Sequence, residues 1–374
     1  MKKQSSLRGR VTVFLPLFFA LVLILPGLEN GSYTRWMLAL SFPCVLLLLL
    51  LLPSRLFFLD RPSFSAVAVL CGFGMMAGVY LSEDAALSLA LSYALLLLFL
   101  LAGAVSARSF RVSLFSAVFP AVLGLFLLSG PFWTGVSFSL AEGGIALLLF
   151  SVSAFLSRRN YVPALGVTLA GLLLLLLGKE IPSALLWGIA AVLLFWAGSG
   201  SGLWSLLSLV TVCALFAGGM LLFPSSEPSP SVPSLPSPAS MPLLAPEVPQ
   251  SSPSSGSDPL WLLLGRQYGS IFLLLSLLLM LVLLIRGASL ALNARSAFHG
   301  ILGLGVVLFF GGRTLLFLLS LSGLLPLASP EPPLILSSLP SLAAHGFLAG
   351  LLSGISARNE ADLAEDARLS MLAR

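Results

Sequence analysis

The chain has 374 residues, of which 58% are hydrophobic and only 9% are charged, and its mean hydropathy is +1.07. Soluble domains lie far from these values, which predict an all-α polytopic membrane protein. The formal net charge of +5 does not indicate nucleic-acid binding, because the basic residues stand singly or in pairs at the ends of apolar runs.

The chain opens with a basic segment, residues 1–10, and continues with an apolar run over residues 11–28. A signal peptide begins in the same way, but no small-residue cleavage site follows this run, so we interpret it as a retained helix. A membrane-spanning helix needs about 20 apolar residues, and this criterion predicts twelve spans. They cover approximately residues 11–28, 36–52, 64–81, 85–105, 112–129, 139–156, 161–177, 183–199, 203–223, 260–285, 297–323 and 334–355.

One long polar interval, residues 224–259, separates two apolar blocks and holds eleven prolines in 36 residues. Proline and serine at this density form neither a helix nor a core, so this loop is predicted to lie in water. With the amino terminus inside, fifteen of the nineteen basic residues fall on the cytoplasmic side, whereas only Arg35, Lys179 and Arg266 fall outside and Arg313 falls within a span. Because cytoplasmic loops collect Lys and Arg, we predict cytoplasmic termini and an external loop.

Cysteine and histidine give no site signal in the sequence. Cys44, Cys71 and Cys213 lie in apolar runs without a CxxC spacing, which is typical of small packing residues. His299 and His345 are isolated and are interpreted as structural. Phosphate-binding glycine loops, HExxH and nucleophile elbows are absent from the sequence.

Ionisable residues at membrane depth are costly unless they are paired or line a wet cavity, and three residues qualify. Glu142 is either a carboxylate stabilised by the start of its helix or a cavity-lining acid. Arg313 lies about ten apolar residues from the outer end of its span, at about 1.5 Å per residue. We predict that it pairs with Glu142, which is the only acid inside a predicted span. Asp258 is either the N-cap before Pro259 or a functional acid.

Residues 257–269, SDPLWLLLGRQYG, resemble a stretch of the FtsW/RodA/SpoVE family (shape, elongation, division and sporulation, SEDS) in which Thr-Asp-Phe-Ile-Phe runs into Glu-Glu-x-Gly. Asp258 falls on the catalytic aspartate of that family. Residues 295–300, RSAFHG, resemble its cytoplasmic Ala-Arg-x-x-Phe-Gly turn. Residues 323–326, GLLP, followed by Pro333, are similar to its Gly-Leu-Leu-Pro and Leu-Pro pair.

The first half carries the same resemblance in the same order. Residues 138–159 are similar to a family helix that opens Gln-Pro-Ser-Glu and closes with a basic pair, and Glu142 stands at the glutamate. Residues 178–185, GKEIPSAL, resemble the Gln-Pro-Asp-Leu-Gly-Thr-Ala-Leu loop, with Glu180 where Asp is usual. The predicted organisation is two additional helices (1–59), a first SEDS-like block (60–223), the outer loop (224–259), a second block (260–356) and a cytoplasmic tail (357–374).

The resemblance implies a peptidoglycan glycosyltransferase that polymerises lipid II in the bacterial cytoplasmic membrane, during division or cell-shape control, beside a class B penicillin-binding protein. Asp258 would be the general base. No metal site is expected, and the cofactor is open, since a divalent cation is one option although no ligand cluster is evident. The substrate cavity would be lined by Glu142, Glu180, Arg313, Ser337 and Ser338.

Departures from the family leave two other functions open. Arg313 replaces a glutamine, Phe317 replaces an asparagine, and residues 336–341, LSSLPS, stand where the family has Ser-Tyr-Gly-Gly-Ser-Ser. A catalytically degenerate scaffold of the division or elongation machinery fits these losses. A lipid or solute transporter would use Arg313 to bind an anion, although no internal repeat of the two halves is visible.

The charge asymmetry predicts the side of the long loop. A cysteine placed at Ser240, in protein freed of its three native cysteines, should react with a membrane-impermeant thiol reagent on intact cells, because this loop is predicted outside. A cysteine at Ser157, before the basic pair Arg158 and Arg159, is the control and should react only after permeabilisation. The reverse pattern would refute the topology.

Overall fold

The structure is a computed structural model, and it describes residues 61–78, 83–109, 113–134, 140–222, 260–322, 331–336 and 338–372. Helix is the only regular secondary structure in these ranges. The helices are α1 (Arg61–Gly78), α2 (Glu83–Ser109), α3 (Leu114–Thr134), α4 (Ala141–Ser157), α5 (Tyr161–Leu177), α6 (Ile181–Ser199), α7 (Gly202–Leu222), α8 (Leu260–Tyr268), α9 (Ser270–Leu292), α10 (Ala297–Leu321) and α11 (Leu339–Leu372).

Each of the ten spans predicted from residue 64 onwards coincides with helix in the structure. Six helices are long and apolar enough to cross a membrane, and four shorter apolar helices accompany them within the described residues. A helical multi-pass membrane protein is thereby supported, because only helices and closed barrels satisfy their backbone hydrogen bonds in hydrocarbon. Spans 11–28 and 36–52 and the loop 224–259 lie outside the described residues, so the total of twelve stays a prediction.

Two boundaries differ from the prediction. The span predicted over residues 260–285 is divided between α8 and α9 by Gly269, whose φ of 95° is a conformation that glycine adopts without steric cost. The span predicted to begin at residue 334 begins instead at Leu339. Leu334 has a φ of 68°, and a left-handed residue cannot belong to a right-handed helix.

The closest helix packing joins α2 and α11. Gly346, Gly350 and Gly354 lie four residues apart on α11, and a Cβ atom on each would overlap the carbonyl oxygen of a residue on α2, at Leu96, Leu100 and Ala104 respectively. Because both sets advance by four residues in the same direction, the two helices run parallel. This arrangement is the small-xxx-small packing of membrane helices, in which missing side chains let two backbones approach closely.

Helix exposure distinguishes the centre of the bundle from its periphery. The apolar window of α11 is 83% buried, whereas that of α7 is 11% buried, so α11 lies in the centre and α7 lies at the outside. Large apolar side chains such as Phe115, Phe126 and Leu203 point outwards, as expected where lipid surrounds the bundle. Cys71 is buried as predicted, but Cys213 is exposed on α7, so the prediction of a packing role was wrong for that residue.

We call the contact of Gly346, Gly350 and Gly354 with the backbone of α2 the glycine seam. It predicts a loss of stability that depends on which glycine is substituted. Gly350→Ala should lower the unfolding free energy by about 1 to 3 kcal/mol, because the new methyl group meets rigid backbone. Gly166→Ala on α5 is the matched control, since a Cβ at Gly166 meets nothing within 4 Å, and it should leave stability unchanged or raise it by about 0.5 to 1 kcal/mol. Thermal unfolding of detergent-purified protein measures both. Equal stability of the two variants would contradict the close approach.

Candidate functional site

An ion pair joins α4 and α10 at the end of the bundle where α2, α4 and α11 begin, which is the predicted outer end. Arg313 Nη1 on α10 donates to Glu142 Oε1 on α4, and the two side chains are 11% and 8% exposed. The predicted pairing is confirmed. Burial of each charge alone would cost several kcal/mol, and the pair neutralises both. Glu142 lies in the first turn of α4 and is buried by protein rather than exposed at the helix start.

Small residues on α4 and α10 bring the two charges together. A Cβ atom on Gly144 would lie 2.7 Å from the side chain of Leu128 on α3, and one on Gly312 would lie 2.5 Å from the side chain of Leu186 on α6. These two glycines stand within two residues of Glu142 and Arg313 respectively. The backbone around each charged residue is thus packed against a neighbouring helix, which fixes where its side chain begins.

His345 on α11 is the third member of this cluster. Its Nε2 lies 3.4 Å from Glu142 Oε2, and the imidazole is fully buried against the rings of Phe309 and Phe310, with centroids 5.5 Å away in each case. Neither Nε2 nor Oε2 has a hydrogen-bond partner among the described residues, so the two atoms face each other without good alignment. The interpretation of His345 as isolated was wrong. A histidine inside a predicted span is itself an ionisable group at membrane depth, and that signal was available in the sequence.

A non-helical stretch, residues 331–336, lies against the cluster, and we call it the buried segment. Arg313 Nε donates to the carbonyl oxygen of Glu331 at 3.2 Å, and the hydroxyl of Tyr93 on α2 donates to the carbonyl oxygen of Leu334 at 3.2 Å. The N–H of Leu334 donates to His345 Nδ1 at 3.4 Å. Side chains therefore satisfy backbone groups that no helix satisfies here, as buried backbone requires.

The buried segment reaches well inside the bundle. Tyr93 is ten residues from the start of α2 and His345 is six residues from the start of α11, which at about 1.5 Å per residue gives depths of about 15 Å and 9 Å along the helices. Gly346 packs against Leu96, so His345 and Tyr93 lie at about the same level although α2 begins earlier. Both side chains bond to Leu334, which has no exposed surface. Irregular backbone at such depth is tolerated only inside protein or beside a cavity.

The other residues assigned to a substrate cavity lie elsewhere. Glu180 precedes α6 and lines a shallow depression with Leu127, Leu174 and Gly178. Ser338 is exposed immediately before α11. Ser337 and Asp258 lie outside the described residues. The structure therefore joins Glu142 to Arg313 and His345, and the cavity role of these residues stays a prediction.

Helix α8 begins two residues after Asp258 and is anchored near Arg313. Trp261 on α8 is buried, its ring meets that of Phe317 edge to face at 4.9 Å, and its Nε1 donates to Ser276 Oγ at 3.0 Å. Phe317 follows Arg313 by one turn of α10, which is about 6 Å along the axis. Phe317 thus contributes aromatic packing at this place.

A second polar group lies at the opposite end of α10, in the stretch that resembles the family's cytoplasmic turn. Ser296 caps α10 by accepting from the N–H of His299, and its Oγ also lies 2.5 Å from His299 Nδ1. His299 Nε2 donates to the carbonyl oxygen of Ala107 at the end of α2 at 2.8 Å. Asn359 accepts from the N–H of Arg295. These bonds tie the turn to α2 and α11, so His299 has the structural role predicted.

A carboxylate held by a guanidinium is already stabilised as an anion, so Glu142 is better suited to orient charge than to accept a proton. Among the described residues, no group of three or more His, Cys, Asp and Glu side chains is arranged to hold a metal ion. The cluster is a positioning and electrostatic element of the fold.

Comparison of the chain with protein-family models and with curated protein sequences finds no match. The likeness to the SEDS family therefore depends on the residues quoted above.

The ion pair predicts a non-additive response to substitution. Arg313→Leu should lower the unfolding free energy by about 3 to 5 kcal/mol, because it leaves a buried carboxylate without its cation. The double variant Arg313→Leu with Glu142→Gln should recover part of that loss. Exposed Arg158 at the end of α4 provides the control, since Arg158→Leu removes a cation at the surface. Denaturation in detergent measures the wild type, both single variants, the double variant and Arg158→Leu, and strict additivity would mean that Arg313 and Glu142 do not interact.

Proposed function

We propose that this protein is a divergent SEDS-like peptidoglycan glycosyltransferase of the bacterial cytoplasmic membrane. Asp258 takes the proton from a sugar hydroxyl of one lipid-linked substrate, the oxygen attacks the anomeric carbon of lipid II, and the bond to the undecaprenyl pyrophosphate breaks with inversion. General-base help of this kind accelerates a reaction by about 10²- to 10⁴-fold. A class B penicillin-binding protein is the proposed partner, and both chain termini lie in the cytoplasm.

The anchoring of α8 beside the charge cluster is the observation that carries this function. The helix that follows Asp258 packs through Trp261 on Phe317, one helical turn from Arg313. A base delivered by the long loop would thereby stand near a buried Glu142–Arg313 pair. Because that pair is mutually neutralised, it can shape a polar site without competing for the proton that Asp258 removes.

A non-catalytic scaffold of the division or elongation machinery is the second candidate. In the stretch that replaces Ser-Tyr-Gly-Gly-Ser-Ser, Leu336 is buried and Ser338 is exposed. Phe317 and Trp261 fill with aromatic rings a place where the family carries an amide. An apolar filling of this kind favours helix packing and binding over turnover.

Substitution of the proposed base separates the two functions. Asp258→Asn keeps the shape and the capping capacity of the side chain but removes the base, so polymerisation of lipid II by the purified protein with its transpeptidase should fall by about 10²- to 10⁴-fold. Glu247→Gln makes the same chemical change within the same loop and should leave the rate unchanged. The thermal stability of both variants should match that of the wild type.

Three outcomes would contradict catalysis by Asp258. Loss of stability in Asp258→Asn would identify the residue as a helix cap. An unchanged rate would show that another group accepts the proton. A wild-type protein without polymerisation in the presence of its transpeptidase, whose deletion still disturbs cell shape, would identify the scaffold.

A further inference from the structure

Leu334 is held by side chains on both sides of its backbone. Its N–H donates to His345 Nδ1 on α11 at 3.4 Å, and its carbonyl oxygen accepts from the hydroxyl of Tyr93 on α2 at 3.2 Å. The residue is fully buried and has a φ of 68°. A left-handed conformation is strained for a non-glycine residue, and such strain persists where the surroundings fix the conformation.

The hydrogen bond from the N–H of Leu334 determines which ring nitrogen of His345 carries the proton. A neutral imidazole has one donor and one acceptor nitrogen. Because Nδ1 accepts the N–H of Leu334, the ring proton must be on Nε2, and Nε2 lies 3.4 Å from Glu142 Oε2. A donor nitrogen therefore faces a carboxylate oxygen. A second ring proton would place a donor on Nδ1 against the N–H of Leu334 and a second cation beside Arg313.

Helix α1 leaves space for the second hydrogen bond, which Tyr93 donates to Leu334. A Cβ atom on Gly74 would overlap the hydroxyl of Tyr93, so the missing side chain makes the room in which that hydroxyl reaches Leu334. Tyr93 is itself 1% exposed. The buried segment is thus hydrogen-bonded by side chains from α2 and α11. These are the two helices that pack through the glycine seam.

We infer that His345 is a positioning residue, fixed as its neutral Nε2–H tautomer, which holds the buried segment through Nδ1 and turns its Nε2–H towards Glu142 at 3.4 Å. The charged and titratable groups around it are Glu142 from α4, Arg313 from α10, Glu331 from the buried segment and Tyr93 from α2. Through the carbonyl oxygen of Glu331, the held segment also meets Arg313. This role does not depend on the proposed glycosyltransferase activity.

The tautomer can be observed directly, because the chain has only two histidines. Protein labelled with ¹⁵N in its histidine rings and reconstituted in lipid nanodiscs should show one His345 species, with a protonated Nε2 and an unprotonated Nδ1, that stays the same across neutral and mildly acidic pH. His299→Gln assigns the signals. In Glu142→Gln the Nε2 signal should shift while Nδ1 stays unprotonated. A protonated Nδ1, a mixture of tautomers or a charged imidazole would overturn the inference.

Variants of His345 test its hold on the buried segment. The probe is a cysteine at Ile335, which is 1% exposed, in protein freed of its native cysteines, and the readout is the rate of reaction with a water-soluble thiol reagent. His345→Asn places an amide oxygen near Nδ1 and should keep the rate low. His345→Phe keeps the packing against Phe309 and Phe310 but removes the acceptor, so the rate should rise about 5- to 30-fold.

Tyr93→Phe is the companion variant, because it removes the donor to Leu334 from the other side, and the same rise is expected. If the cysteine reacts as slowly in both phenylalanine variants as in the parent, His345 has a packing role only and the inference fails. Should either variant not fold, the ¹⁵N spectrum of the parent protein decides. Since neither readout measures polymerisation, an inactive protein would leave the inference intact.

Discussion

A guanidinium group inside a helical membrane protein must be both neutralised and hydrogen-bonded, and the centre of this structure meets that requirement. Arg313 reaches a carboxylate on α4 and a backbone oxygen on the buried segment. One partner neutralises the charge and the other satisfies an N–H group that hydrocarbon would leave unpaired. The positions of α4, α10 and the buried segment are therefore coupled, because movement of any one of them would expose a costly group.

The glycine seam between α2 and α11 makes this coupling possible. It sets two backbones in parallel contact over residues 346–354, so Tyr93 and His345 stand at about the same level, and they bond the carbonyl oxygen and the N–H of Leu334 respectively. Close packing without side chains at one interface thus creates room for polar side chains at the next.

Sequence reasoning predicted the helices and one of the two contacts of Glu142. Apolar runs of suitable length indicate spans directly. A buried Arg313 needs an acidic partner, and Glu142 was the only acid inside a predicted span. The break at Gly269 was missed because apolar residues flank the short polar stretch 265–269, which holds Arg266 and Gln267, and one span was extended across it. His345 was missed because its contact with Glu142 depends on how α11 packs against α4, and the only sign of it in the sequence was a histidine within a predicted span.

The start of α11 shows why apolar composition misleads at this place. Leu334, Ile335 and Leu336 look like the first turn of a span, yet they form irregular backbone whose polar groups are bonded by side chains. A charge cluster that is neutral within itself can bind and orient, but it offers no free base. A residue outside the cluster would then have to accept the proton. Asp258 stands at the end of the long loop, just before α8, whose Trp261 packs on Phe317 one turn from Arg313. If the apolar substitutions around that helix have closed the space for a sugar, the same tightly bonded cluster serves as the rigid centre of a binding protein.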